Sequence, residues 1–184
     1  MKDCGTPEGG AYDLAVIGAG SAGFSAAITA AEAGARVALI GDGTIGGTCV
    51  NLGCVPSKAL IRAVEGLHHA RAVKRFDGVE AEGRVTDWAA TVAQKQALVD
   101  ELRAAKYADV LPRHENVDYI EGCARFDEQG RLTVDGATFP AAKIVIATGS
   151  RPHVPAIPGI EEIDALDSTS ALELTALPAS LLVL

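Results

Sequence analysis

The stretch from Tyr12 to Ile40 restricts the fold more than any other part of the sequence. Tyr12-Asp13-Leu14-Ala15-Val16-Ile17 reads as a short buried strand. Gly18-Ala19-Gly20-Ser21-Ala22-Gly23 follows, and then an alanine-rich helix from about Ala22 to Ala33. Gly34 stands where a left-handed residue ends a helix. Arg36 to Ile40 reads as a second buried strand. Strand, glycine turn, helix and strand in so short a span predict a right-handed βαβ unit. In a G-x-G-x-x-G turn of this kind, Gly18 permits the tight bend and Gly20 lets backbone approach a pyrophosphate. Gly23 lets helix and strand pack closely. The N–H groups and the dipole at the helix start then favour a negatively charged ligand. An acid that would bind a ribose belongs at the end of the second strand. Gly41 stands there, and Asp42 follows it. Either Asp42 takes that role through a shifted backbone or the adenosine end is held less firmly.

Beyond this unit, residues 44–75 run into a helix, and an amphipathic helix is predicted over roughly Asp87 to Leu111. Val92, Leu98, Val99, Leu102 and Tyr107 are its expected inward positions, and Pro112 its stop. Val117 to Gly122 is strand-like, and Arg131–Val134 and Ala137–Phe139 flank the hairpin signal Asp135-Gly136. Lys143 to Ala147 is a further continuous apolar strand, ending in Thr148-Gly149-Ser150. Pro152, Pro155, Pro158 and Pro178 mark an extended connector, and Leu181–Leu184 reads as one more buried strand. The expected organisation is a flexible leader over 1–11, a nucleotide-binding α/β domain over 12–150, and a connector over 151–184. The last of these ends in the first strand of a further domain. The fold class is α/β, Rossmann-like, with a central parallel sheet and an inserted β-meander.

Composition excludes several classes. Aromatic residues make up only 4% of a chain that is 48% hydrophobic, so its core is aliphatic, as buried parallel strands require. A net charge of -8, with acids gathered at Glu161, Glu162, Asp164 and Asp167, argues against nucleic acid as a partner. No apolar run reaches the roughly 18 residues of a membrane span, and the N-terminus has no secretory pattern. A cytoplasmic location is expected.

The four cysteines are Cys4, Cys49, Cys54 and Cys123, and only Cys49 and Cys54 lie close in sequence. In a reducing compartment such a pair points to catalysis or metal binding. A regular helix would hold Cα atoms at this spacing on the order of 8–9 Å apart, beyond the about 7 Å that a disulfide allows. A bridge therefore needs a distorted turn, and Gly53 and Pro56 supply freedom and a break there. Lys58, four residues after Cys54, would share its side of a helix and favour a thiolate. Zinc lacks a second ligand pair, since His68-His69 is poorly spaced.

The glycine turn, the segment G-G-T-C-V-N-L-G-C-V-P-S-K from Gly46 to Lys58, and Ala147-Thr148-Gly149 together resemble the FAD-dependent pyridine nucleotide-disulfide oxidoreductases. The resemblance runs from Tyr12 onward. Within that family, Gly43-Thr44-Ile45, Val55, Ile61-Arg62-Ala63, Val99–Arg103 and Ala105-Lys106-Tyr107 are similar to the branch that reduces Hg(II) to Hg(0). Dihydrolipoamide dehydrogenase is the alternative, though it more often carries Ile at the position of Val55. A flavin- or thiol-binding module without turnover is a third reading.

The resemblance implies FAD on Gly18, Gly20, Ser21, Ala22, Gly23, Asp42, Gly43, Gly47, Thr48, Ala124, Thr148 and Gly149. It implies that Cys54 is the thiolate against the flavin, that Cys49 exchanges with substrate, and that Lys58 lies near flavin N5. NADPH would be the reductant, and Cys49 and Cys54 would hold Hg(II) transiently, or meet a small disulfide substrate, in a homodimer. It also implies a much longer protein, of which these residues are the N-terminal part and inactive alone.

Overall fold

The computed structural model describes residues 12–184; the leader expected over 1–11, with Cys4, lies outside them. Two compact units divide the chain, one comprising 12–49 and 102–150 and the other 50–101 and 151–184.

The first unit begins with β1 (Tyr12–Ile17), α1 (Ser21–Glu32) and β2 (Val37–Gly41). It resumes with β3 (Val117–Glu121), the short strands β4 (Ala124–Phe126), β5 (Leu132–Val134) and β6 (Ala137–Thr138), and β7 (Ala141–Ile146). β3, β2, β1 and β7 lie side by side in that order, all parallel, with Leu14 opposite both Val37 and Lys143. Both faces of the central strands are covered, which is why their sequences are continuous apolar runs. On one face Phe24, Ala27 and Ala31 of α1 pack on Val16, Val37 and Leu39. On the other, Leu132 and Val134 pack on Tyr12, Ala15, Ile17, Ala38 and Ile40. The second layer is the predicted meander, β4-β5-β6, antiparallel throughout. Its turn is Asp135-Gly136 with φ of 49° and 85°, the positive pair a tight hairpin needs. Asp135 also accepts a hydrogen bond from the Cys123 N–H at 2.8 Å.

β7 departs from expectation. Its apolar run predicts full burial, yet Ile144 and Ile146 are 37% and 66% exposed. Among the described strands β7 has β1 alone as a neighbour, and the two covering layers centre on β1 and β2.

The second unit contains α3 (Cys54–Ala72) and most of α4 (Trp88–Arg103). The single helix predicted over 87–111 is shorter: α4 passes into a π turn at Ala104–Ala108, before Pro112, which sits in a 3-10 turn over Leu111–Arg113. Val92 and Val99 are buried as expected, but Leu98 is 38% exposed. The buried stripe runs through 92, 95 and 99, at helical spacing, and Leu98 lies to one side of it. The third member is Lys95, whose Nζ lies 2.8 Å from Glu173 Oε1. Trp88 Nε1 donates to the Leu174 carbonyl at 2.9 Å. Together they anchor a stretch whose only regular elements are the 3-10 turns Ile160–Glu162 and Ser170–Glu173. The strand expected at Leu181–Leu184 is not formed; these residues are 64–86% exposed. An apolar run becomes a strand only where a neighbouring edge offers hydrogen bonds, and no described strand pairs with it.

Candidate functional site

β1 ends in the glycine turn, where Gly18 is required by contact and conformation and Gly23 by contact. Gly18 has φ 110°, and a Cβ there would stand 2.2 Å from the Ala147 carbonyl oxygen. Its N–H donates to the Ile40 carbonyl at 2.7 Å, while Ala147 N–H donates to Ile17 at 2.8 Å. The turn is thereby held between the ends of β2 and β7. Gly23, one turn into α1, approaches so closely that a Cβ would fall 1.8 Å from the Gly18 carbonyl oxygen. Gly20 caps α1 with extended backbone, and no side chain caps the helix start. The start of α1 thus presents its backbone and dipole without a capping side chain.

A second glycine pair lies over the first. Gly46 forms a parallel bridge with Gly20, and its N–H donates to Ala19 at 2.8 Å. Gly47, with φ 62°, would place a Cβ 2.5 Å from Gly20 Cα. Gly18, Gly20, Gly23, Gly47 and the backbone of Thr148 are thus gathered into one cradle, in which backbone packs directly on backbone. Ser21 lies at its edge, its hydroxyl 2.9 Å from that of Tyr107. Tyr107 in turn meets Phe24 edge-on at 4.9 Å. Sequence reasoning placed Tyr107 inward but not against Ser21, because the π turn that carries it there has no sequence signature.

Asp42 and Gly43 form the exposed turn after β2, and Thr48 is exposed in α2 (Gly47–Asn51). Gly149, with φ 71°, and the exposed Thr148 follow β7. Ala124 stands at the start of β4 and packs on the cluster of Ile17, Ile40, Leu132 and Val134.

The chain enters the cysteine segment through α2, breaks at Leu52-Gly53, and restarts as α3 with Cys54 as its first residue. Cys49 and Cys54 are both exposed. The distortion expected between them is present, but Gly53 makes it. Pro56, expected to break the helix, is buried in the first turn of α3, where a proline withholds no needed N–H. The Ser57 hydroxyl donates to the Gly53 carbonyl at 2.6 Å and fixes this start. Cys54 and Lys58 share one side of α3, four residues apart, and Lys58 is exposed. Among the described residues no cluster of histidine, cysteine and carboxylate side chains has metal-ligating geometry.

Residues 12–184 match the family described as pyridine nucleotide-disulphide oxidoreductase. The chain belongs to this family. It is 46% identical over 173 residues to a mercuric reductase of Lysinibacillus sphaericus, covering 94% of this chain and 31% of that protein. A mercuric reductase of Streptomyces lividans is also 46% identical, with 94% and 37% covered. Among solved structures, the HOCl-induced flavoprotein disulfide reductase RclA from Escherichia coli superimposes with a TM-score of 0.73 at 36% identity, over 91% of this chain and 35% of that one. The chain thus spans about a third of the length of the curated relatives it matches. Its glycine cradle and cysteine segment both lie within the matched residues.

Proposed function

We propose that the protein carrying this chain reduces Hg(II) to Hg(0) with NADPH, using FAD and the Cys49–Cys54 pair. The observation that carries the reading is the cysteine segment: two exposed cysteines across a helix break, in a chain matching mercuric reductases at 46% identity. FAD suits this cradle, because the close glycine contacts hold the turn and Gly47 against the start of α1, where the first-turn backbone and the helix dipole favour a diphosphate. Gly18, Gly20, Ser21, Ala22, Gly23, Gly47 and Thr48 would hold it there, with Asp42, Gly43, Thr148 and Gly149 alongside. Bound FAD would supply two-electron passage between the nicotinamide and sulfur.

Cys54, the first residue of α3, would serve as the thiolate beside the flavin, since a helix start favours negative charge. Cys49 would exchange with substrate, and Lys58 would offset the charge of the reduced site. Soft thiolates suit a soft ion, so the pair would hold Hg(II) during turnover. Overall, NADPH gives up a hydride, Hg(II) gains two electrons, and one proton is released. A homodimer in the cytoplasm, where NADPH is available, completes the proposal; no described helix is long and apolar enough to cross a membrane.

The test is Hg(II)-dependent oxidation of NADPH by the full-length protein. Cys49→Ala and Cys54→Ala should each abolish it. The long-wavelength absorbance that follows two-electron reduction should vanish in Cys54→Ala and survive in Cys49→Ala. The reverse pattern would exchange the two roles, and oxidation of dihydrolipoamide without mercury turnover would overturn the substrate assignment.

A further inference from the structure

β2 ends on Gly41, where a dinucleotide fold ordinarily carries the acid that binds the adenosine ribose. The space beside Gly41 is not empty. A Cβ there would stand 3.1 Å from Ala19 Cβ and 3.2 Å from the Tyr119 hydroxyl. Ala19 belongs to the glycine turn itself. Tyr119 is on β3, opposite Leu39 in the parallel register, while Gly41 is opposite Glu121. Its ring therefore reaches forward along the sheet by about one residue pair, toward the ends of the strands. In open α/β sheets that is the edge where ligands bind. The hydroxyl occupies the volume into which an acidic side chain at position 41 would project, and the residue is 37% exposed.

We infer that the Tyr119 hydroxyl, rather than an acid, is the group that binds the adenosine ribose. This rests on the reading that the cradle holds FAD. A phenol has one donor and two lone pairs, so it can serve a ribose hydroxyl in either sense. Burial, and the carboxylates of Glu121 and Asp42, push its pKa above the usual tyrosine value and keep the donor proton in place. The acid that follows β2 is displaced to Asp42, in the exposed turn. A neutral hydroxyl binds less strongly than a carboxylate, so the adenosine end is held by a weaker, uncharged contact.

The experiment titrates the full-length apoprotein with FAD, and with an FAD analogue lacking the adenosine 2′-hydroxyl, following quenching of flavin fluorescence. Wild type should prefer FAD over the analogue by roughly two- to tenfold, the range of one neutral hydrogen bond. Tyr119→Phe should lose that preference, weaken FAD binding by a similar factor, and keep its melting temperature. Tyr119→Ala combined with Gly41→Glu should restore the preference through the returned acid. If Tyr119→Phe binds FAD as wild type does, or retains the preference, this inference fails while the flavin reading stands. If wild type binds no FAD, the flavin reading falls and takes this inference with it.

Discussion

Gly23→Ala sets helix propensity against packing at a single position. Gly23 lies inside α1, and alanine there should stabilise the helix by about 1 kcal/mol on propensity alone. The structure opposes this, because the new Cβ would fall 1.8 Å from the Gly18 carbonyl oxygen and 3.3 Å from Ala147 Cβ. The oxygen belongs to backbone already fixed between strand ends, so α1 must retreat by more than an ångström. That retreat loosens Phe24 and Ala27 from Val16 and Leu39. Overpacking of this kind costs about 1–3 kcal/mol, and a clash with backbone belongs at the upper end. The net expectation is about 2 kcal/mol of destabilisation, or roughly 4–8 °C in Tm for a chain of this size. Gly66→Ala supplies the control. It also lies within a helix, α3, but has no atom within 4 Å of its Cβ position, so it should gain the propensity term. Urea and thermal denaturation of both variants measure the difference. FAD affinity should fall in Gly23→Ala and hold in Gly66→Ala. Stability of Gly23→Ala at or above wild type would refute the packing argument.

Other consequences concern the flanks of the same elements. Tyr12 donates to Asp118 at 2.9 Å, and burial, that hydrogen bond and the Asp118 charge push its pKa up to about 12, with Arg36 opposing. A raised folded-state pKa means this contribution is complete below pH 10 and is lost as pH rises through 12, so urea stability should fall across that window and fall less in Tyr12→Phe. At neutral pH, Tyr12→Phe should cost about 1 kcal/mol through the lost hydrogen bond, measurable by the same titration. In the second unit, Glu173→Ala leaves the buried Lys95 ammonium without its carboxylate and should destabilise by about 1–2 kcal/mol, because half of Glu173 already faces water. Glu65→Ala, which breaks the exposed pair with Arg62, should stay within about 0.5 kcal/mol. Finally, the 184 residues alone should show no Hg(II)-dependent oxidation of NADPH; turnover by that chain would overturn the expectation drawn from its sequence.

The strands of the parallel sheet, α1 and the hairpin were legible because their signals are local, whereas β4 was not foreseen. Apolar runs of strand length, a glycine turn and Asp135-Gly136 each specify backbone within a few residues. In the cysteine segment the break between α2 and α3 was legible too, at Gly53. Reading failed where the environment decides. Lys95 has the composition of a surface residue, and only the chain returning with Glu173 and Leu174 makes its burial tolerable. Leu181–Leu184 has the composition of a strand, and no described strand offers it an edge.

What the sequence determined by itself is the glycine turn and the close backbone contacts around it. A position that tolerates no Cβ can be met only by glycine, so Gly18, Gly23 and Gly47 announce the close approaches they permit. What only the tertiary structure decided is how distant segments complete it. Tyr107 reaches Ser21 through a π turn, and Tyr119 reaches the space beside Gly41 because β3 lies next to β2. In a parallel sheet, neighbours in space are separated by whole elements in sequence, so strand order is settled by packing and not by any local pattern.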